Sequence, residues 1–255
     1  MNHDELLSMK KTFFKHPFKS AITALLVVGL AGCQSTPPPP PSDEQVIAFA
    51  DQIEAAAIKD ITIMNRCAEL GGAIGAYSSA ARESWHFANH RLLQQAEQLL
   101  SLQRSFTRSL EGQSFSLEAI ARAHKLAAES QQQLNLAGRS PSGQKTVCRR
   151  ELERIEVSDY SALAPSLELA DLQSRTQAVT SSEATVADIL TRWPHWPKPG
   201  RSYIGIFEQA KSQCAAQSRI ITLKNKWPHE QYAVYCDTQP IELFTCEWNN
   251  CIPAD

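Results

Sequence analysis

WPHWPKPG, residues 193–200, divides this sequence in two. Three prolines and a glycine within that stretch stop any helix, because proline lacks the amide an interior position needs and its ring clashes with the preceding turn. Upstream, apolar residues recur mostly at steps of three and four. Downstream, β-branched and aromatic residues alternate or cluster. The stretch therefore reads as a linker between a helical domain, 44–192, and a small module, 201–255. The expected fold is α+β: an N-terminal antiparallel helical bundle, then a disulfide-stapled helix with a three-stranded antiparallel sheet.

Within the helical domain, Val46, Phe49, Ile53, Ala57, Ile61 and Met64 line one face of a first helix. Ser42 suits its N-cap, and Asp43 and Glu44 suit the positive end of its dipole. Gly71, Gly72 and Gly75 break or bend the chain. A second, longer helix is expected from Ile74 through Trp85, Leu92 and Leu99 to Phe106 and Leu110, with Gln103 spoiling one step and Glu111-Gly112 ending it. Leu117 to Leu134 gives a third helix capped by Ser116, and about 144–157 a fourth. Thr180 followed by Glu183 reads as a capping box for a short helix ending near Arg192. Short links between such helices favour antiparallel packing.

In the module, residues 203–217 read as a helix with Ile206, Ala210 and Cys214 in step. RIITL, QYAVYC and IELFTCEW read as strands separated by turns at 225–230 and 237–240. A unit of about 55 residues has a small core and commonly needs covalent support. With Cys236 placed opposite Ile241, the spacing predicts Val234, Cys236, Ile241 and Leu243 on the helix-covered face and Cys246 on the other.

The chain has seven cysteines. Cys67 and Cys148 are the only two of the helical domain and are expected to pair. In the module Cys214 is expected to reach Cys236, and Cys246 its near neighbour Cys251. CEWNNC, 246–251, has neither the closer spacing of zinc sites nor the C-x-x-C of thiol oxidoreductases, so a structural staple is the better account.

The compartment is set by the first forty residues. Lys10, Lys11, Lys15 and Lys19 precede an apolar run, AITALLVVGLAG, that is about twelve residues long, too short to span a bilayer and right for a signal peptide. Met9 opens a more conventional signal, MKKTFFKHPFKS, so the start is at Met1 or at Met9. The run ends in Leu30-Ala31-Gly32-Cys33, which resembles the lipobox of bacterial lipoproteins. The resemblance implies a signal peptide over 1–32, a diacylglyceryl group and further acylation on Cys33, and anchoring to the membrane. Several acyl chains hold stably, each buried methylene contributing about 0.8 kcal/mol. Gln34 after the cysteine implies the outer membrane, with the protein facing the periplasm. Residues 33–43 are then the lipidated cysteine and a tether; the prolines of QSTPPPPPSD favour polyproline II and reach roughly 30 Å. The mature chain, mildly acidic and without a basic cluster, is a poor nucleic-acid ligand. The even count of remaining cysteines fits an oxidising compartment.

For chemistry the sequence offers little. His86 and His90 share a helix side with Glu83, yet no HExxH accompanies them, and neither metal nor cofactor is expected. No nucleophile elbow, phosphate loop or grouped carboxylate pair points to an enzyme. Trp-Pro-His occurs at 193–195 and again at 227–229. Trp193, Trp196 and Trp227 are therefore candidate binding residues for sugars or partner side chains, or else plugs at the seam between the two parts. The module resembles PepSY-type periplasmic modules in its order of elements, and small lysozyme-inhibitor lipoproteins in Tyr235-Cys236-Asp237; no functional residue carries over from either. The expectation is a non-enzymatic envelope lipoprotein that scaffolds or binds a periplasmic protein or peptidoglycan, the alternative being a cell-wall hydrolase or an inhibitor of one.

Overall fold

The computed structural model describes residues 38–177, 182–214, 217–237 and 239–254. Among them the order is α1 (Asp43–Ala68), α2 (Gly72–Ser101), β1 (Thr107–Leu110), β2 (Gln113–Ser116), α3 (Leu117–Leu134), α4 (Pro141–Glu156), a 3-10 turn (Tyr160–Leu163), α5 (Ser166–Thr176), α6 (Val186–Arg192), α7 (Tyr203–Gln213), β3 (Ser218–Lys226), β4 (His229–Cys236), β5 (Gln239–Glu247) and β6 (Asn250–Pro253). The class is α+β, stapled by disulfides. No helix among the described residues is long and apolar enough to cross a membrane.

Helix α1 begins at a capping box. The Ser42 hydroxyl accepts from the Gln45 amide, and the Gln45 side chain accepts from the Ser42 amide. Farther along, α1 is buried on several sides, and α2, α3, α4, α5 and α6 all pack on it. Ile53, Ile58, Ile61 and Met64 are buried. Each such side chain contributes about 1.5–3 kcal/mol by leaving water. Helix α2 folds back along α1, with Ser78 Oγ donating to the Met64 carbonyl at 2.8 Å and Arg82 Nη2 to Asn65 Oδ1 at 2.7 Å. Cys67, at the end of α1, is bonded to Cys148 of α4, Cα to Cα 5.5 Å.

The second helix is shorter than the periodicity predicts. It stops at Ser101; Leu110 belongs instead to the β1–β2 hairpin, and Phe106 lies just ahead of it, its carbonyl accepting from the Leu117 amide. Glu111 and Gly112 both have positive φ, 52° and 85°, the conformation a two-residue hairpin turn requires. The capping box expected at Thr180 lies outside the described residues. The box that opens α6 is Thr185 with Asp188, while Glu183 forms a parallel bridge with Ser114.

The larger sheet is an antiparallel meander, β3-β4-β5-β6, with one strand more than the sequence suggests. One face carries Ile221, Leu223, Ala233, Tyr235 and Leu243 into the core of the helical part. The other carries Tyr232, Val234, Phe244 and Cys246 against Ile206 and Ala210 of α7. The expected sidedness is corrected here. Tyr235 pairs with Pro240 and Val234 with Glu242, so Ile241 is an extra residue that resets the alternation. Leu243 therefore faces the helices and Cys246 faces α7. Residues Pro40–Asp255 form one compact unit, and the Tyr235 hydroxyl donates to the Leu117 carbonyl of α3 at 2.9 Å.

Candidate functional site

The candidate tryptophans separate into two groups. Trp193 is buried, and its Nε1–H donates to the Leu223 carbonyl at 2.7 Å. Its ring stacks on Trp196 with centroids 5.4 Å apart and lies 5.4 Å from Phe115, while Arg192 covers both Phe115 and Trp193. Trp196 meets the edge of His124 at 4.9 Å, and Arg219 Nη2 donates to His124 Nδ1 at 2.9 Å. Burial, and then Arg219, push the His124 pKa down to about 4, so the ring is neutral and can accept. This ladder fastens helices to sheet, and Trp193 and Trp196 are spent in it. His86 and His90 stack at 4.2 Å on the α2 surface, and no group of three or more metal-ligating residues occurs among the described residues.

Trp227 belongs elsewhere, to a corner at one end of the sheet. Two hairpin turns meet there: Trp227-Pro228 between β3 and β4, and Trp248-Asn249 between β5 and β6. The Trp248 amide donates to the Pro228 carbonyl at 3.2 Å and joins the turns. Trp248 and Asn249 have φ of 54° and 64°. Asparagine tolerates that left-handed region; a bulky aromatic rarely occupies it. Cys246 and Cys251 face each other across the hairpin and are bonded, Cα to Cα 4.0 Å, which locks the turn from below. Trp248 is 67% exposed. The Trp227 ring stands almost perpendicular to it, 84° at 5.6 Å, and the Arg201 guanidinium lies 4.8 Å from the Trp227 centroid.

A buried carboxylate holds the third side of the corner. Glu230 accepts from the amides of Arg201 and Ser202, both at 2.8 Å, and from the Tyr232 hydroxyl at 2.7 Å. Burial alone would raise its pKa, but these hydrogen bonds outweigh it and hold the carboxyl below its usual range. A Cβ at position 200 would collide with this carboxylate, so the linker must end in glycine. Ser202 Oγ reaches Asn249 Oδ1 at 3.1 Å, tying the start of α7 to the tip of the last hairpin. The result is an exposed ring on a turn whose backbone is fixed by a disulfide and a hydrogen bond, with a neighbouring aromatic against the ring. Glu247, Asn249 and Asn250 around it in the turn are polar and exposed.

A second concavity, of about 360 Å³, is lined by Asp51, Glu54, Arg104, Arg122, Lys125 and Arg219, among others. Its charges are largely spent on each other. Glu54 is buried between Arg104 and Arg122, and Asp51 pairs with Arg122 at 2.8 Å.

Cys33 lies outside the described residues. The other six cysteines form three disulfides, Cys67–Cys148, Cys214–Cys236 and Cys246–Cys251. Sequence reasoning took CEWNNC as a staple and passed over the tryptophan inside it. The available signal was a large aromatic in the two-residue turn of a hairpin closed by cysteines. Comparison with protein-family models, curated proteins and solved structures finds no match to this chain.

Proposed function

We propose that this chain is a non-enzymatic, lipid-anchored protein of the cell envelope that binds a periplasmic protein or peptidoglycan through its disulfide-stapled sheet. The observation that carries the reading is the cysteine account. Six of seven cysteines are consumed in pairs, and the seventh, Cys33, stands at the end of the lipobox-like LAGC. Disulfides persist in oxidising compartments, and a lipidated cysteine followed by a proline tether would hold the folded unit off the outer-membrane surface. Binding, rather than catalysis, is favoured by where the structure spends its reinforcement: on an exposed aromatic turn, while the charges of the concavity around Glu54 largely neutralise one another.

The test is metabolic labelling with an alkyne-bearing fatty acid, with Cys33→Ser as control. The wild-type protein is expected to carry label, to partition with the outer membrane, and to show no free thiol without reduction. An unlabelled protein with reduced cysteines in the cytoplasm would remove the basis of the proposal.

A further inference from the structure

We infer that the Trp248 corner is a glycan-binding site that takes N-acetylated hexosamine chains such as those of the cell wall. Several independent features meet at this point. Trp248 is 67% exposed at the tip of a turn. It holds a backbone conformation that aromatic residues rarely adopt, so hydrophobic collapse and local preference both oppose the placement. The fold nevertheless secures it, through the Cys246–Cys251 bond, the Trp248 amide to Pro228, and Ser202 to Asn249. A turn that exposes its ring against such preferences and is fixed so firmly presents that ring on a preorganised backbone, with little main-chain freedom left to lose on binding.

The chemistry around the ring selects the ligand class. A pyranose presents C–H bonds on one face and hydroxyls or acetamides at its edge. The C–H face packs on the negative face of an aromatic π system. The edge groups need neutral donors and acceptors, and the turn carries two exposed amides, Asn249, whose Oδ1 also accepts from Ser202 Oγ, and Asn250. Trp227, perpendicular at 5.6 Å, makes a second aromatic wall, and Arg201 lies over it. A protein partner would bury about 800 Å² on this side; the ring's sequence neighbours in the turn are polar, whereas the exposed apolar Ile252 lies in β6 and Ile204 and Phe207 in α7. The choice of cell-wall glycan among sugars rests on the envelope reading above; the stacking geometry does not.

The experiment is co-sedimentation of the detergent-solubilised full-length protein with purified, protease-stripped sacculi. It is paired with titration by soluble N-acetylglucosamine hexamer followed by isothermal calorimetry. The key variant is Trp248→Asn, because asparagine accepts the left-handed turn and leaves the hairpin intact. Wild type is expected to sediment and to bind the hexamer; W248N is expected to lose at least tenfold in affinity with a melting temperature no lower than that of wild type. Phe87→Ala, which removes another exposed aromatic on α2, is expected to bind like wild type. Retention of binding by W248N, equal loss in both variants, or binding only to sacculi that keep their attached proteins would each overturn the inference. Fatty-acid label at Cys33 is read separately, so a labelled protein that ignores glycan sinks this site and leaves the anchor standing.

Discussion

Two buried polar residues illustrate how single side chains set the energetics. Tyr160 links three elements: its hydroxyl accepts from Trp85 Nε1 at 2.8 Å and donates to Asp60 Oδ2 at 2.9 Å, and Asp60 pairs with Arg154 at 2.7 Å. Tyr160→Phe keeps the ring but orphans a buried indole N–H, so it is expected to lower stability by about 1–3 kcal/mol, measured by urea denaturation. Glu97 is the opposite case. It is buried, one oxygen accepts from the Val186 amide, and the other has no partner. Burial drives its pKa from 4.5 up to about 8, although the Val186 bond opposes the rise. The folded state therefore holds the proton more tightly than the unfolded state. Stability from this group is complete below pH 4.5, falls as pH rises, and is gone above about 8. Glu97→Gln is expected to flatten that slope and to stabilise the protein at pH 8 by on the order of 1–2 kcal/mol, read from melting curves across pH. Trp85 was legible as part of an apolar stripe. Its partner Tyr160 was not, because a contact spanning some 75 positions leaves no local pattern.

At the level of elements, local pattern served the sequence reading well where one face of a helix is buried, and failed where an element is short. The span of α3 and the pairing partners of the helical cysteines follow from apolar steps and composition. The β1–β2 hairpin does not, since Phe106 and Leu110 happen to continue the α2 stripe. Gly112 is what closes that hairpin, with φ 85°. Gly112→Ala is expected to destabilise by about 1 kcal/mol, whereas Gly205→Ala, in the helix α7 with open space around it, is expected to stabilise by about 0.5–1 kcal/mol. Thermal melts of the two variants should move in opposite directions. The sidedness of β5 was misread for a related reason: one unpaired residue at Ile241 inverts every later position, and a bulge has no signature in alternation alone. The same error hid the relation of Cys246 to α7, though not its nearness to Cys251.

On the scale of the molecule, the sheet is a wall shared by two cores, and the Trp193–Trp196–His124 ladder ties the long helical part to it. The class was readable because periodicity changes at 193–200. Of the candidate site only Trp227 was readable, because the rest is assembled from the second hairpin turn and the linker ahead of α7, brought together only by the meander. Cys67–Cys148 spans 81 positions. Replacing both with serine is expected to cost about 4 kcal/mol on the chain-entropy account. Calorimetry of that variant should place its melting temperature below that of the oxidised wild type and above that of the wild type with all three bridges reduced.

The order of the three bonds along the chain has a consequence for biogenesis. Each described bridge joins a cysteine to the next one in sequence: 67 to 148, 214 to 236, 246 to 251. None encloses another. A polypeptide that meets an oxidant N-terminus first can therefore close every bridge as its second sulfur arrives, with no shuffling afterwards, provided the earliest thiol, Cys33, has been taken out of play. The acylation of Cys33 proposed above would do that, and would then guard against mispairing as well as anchor the chain.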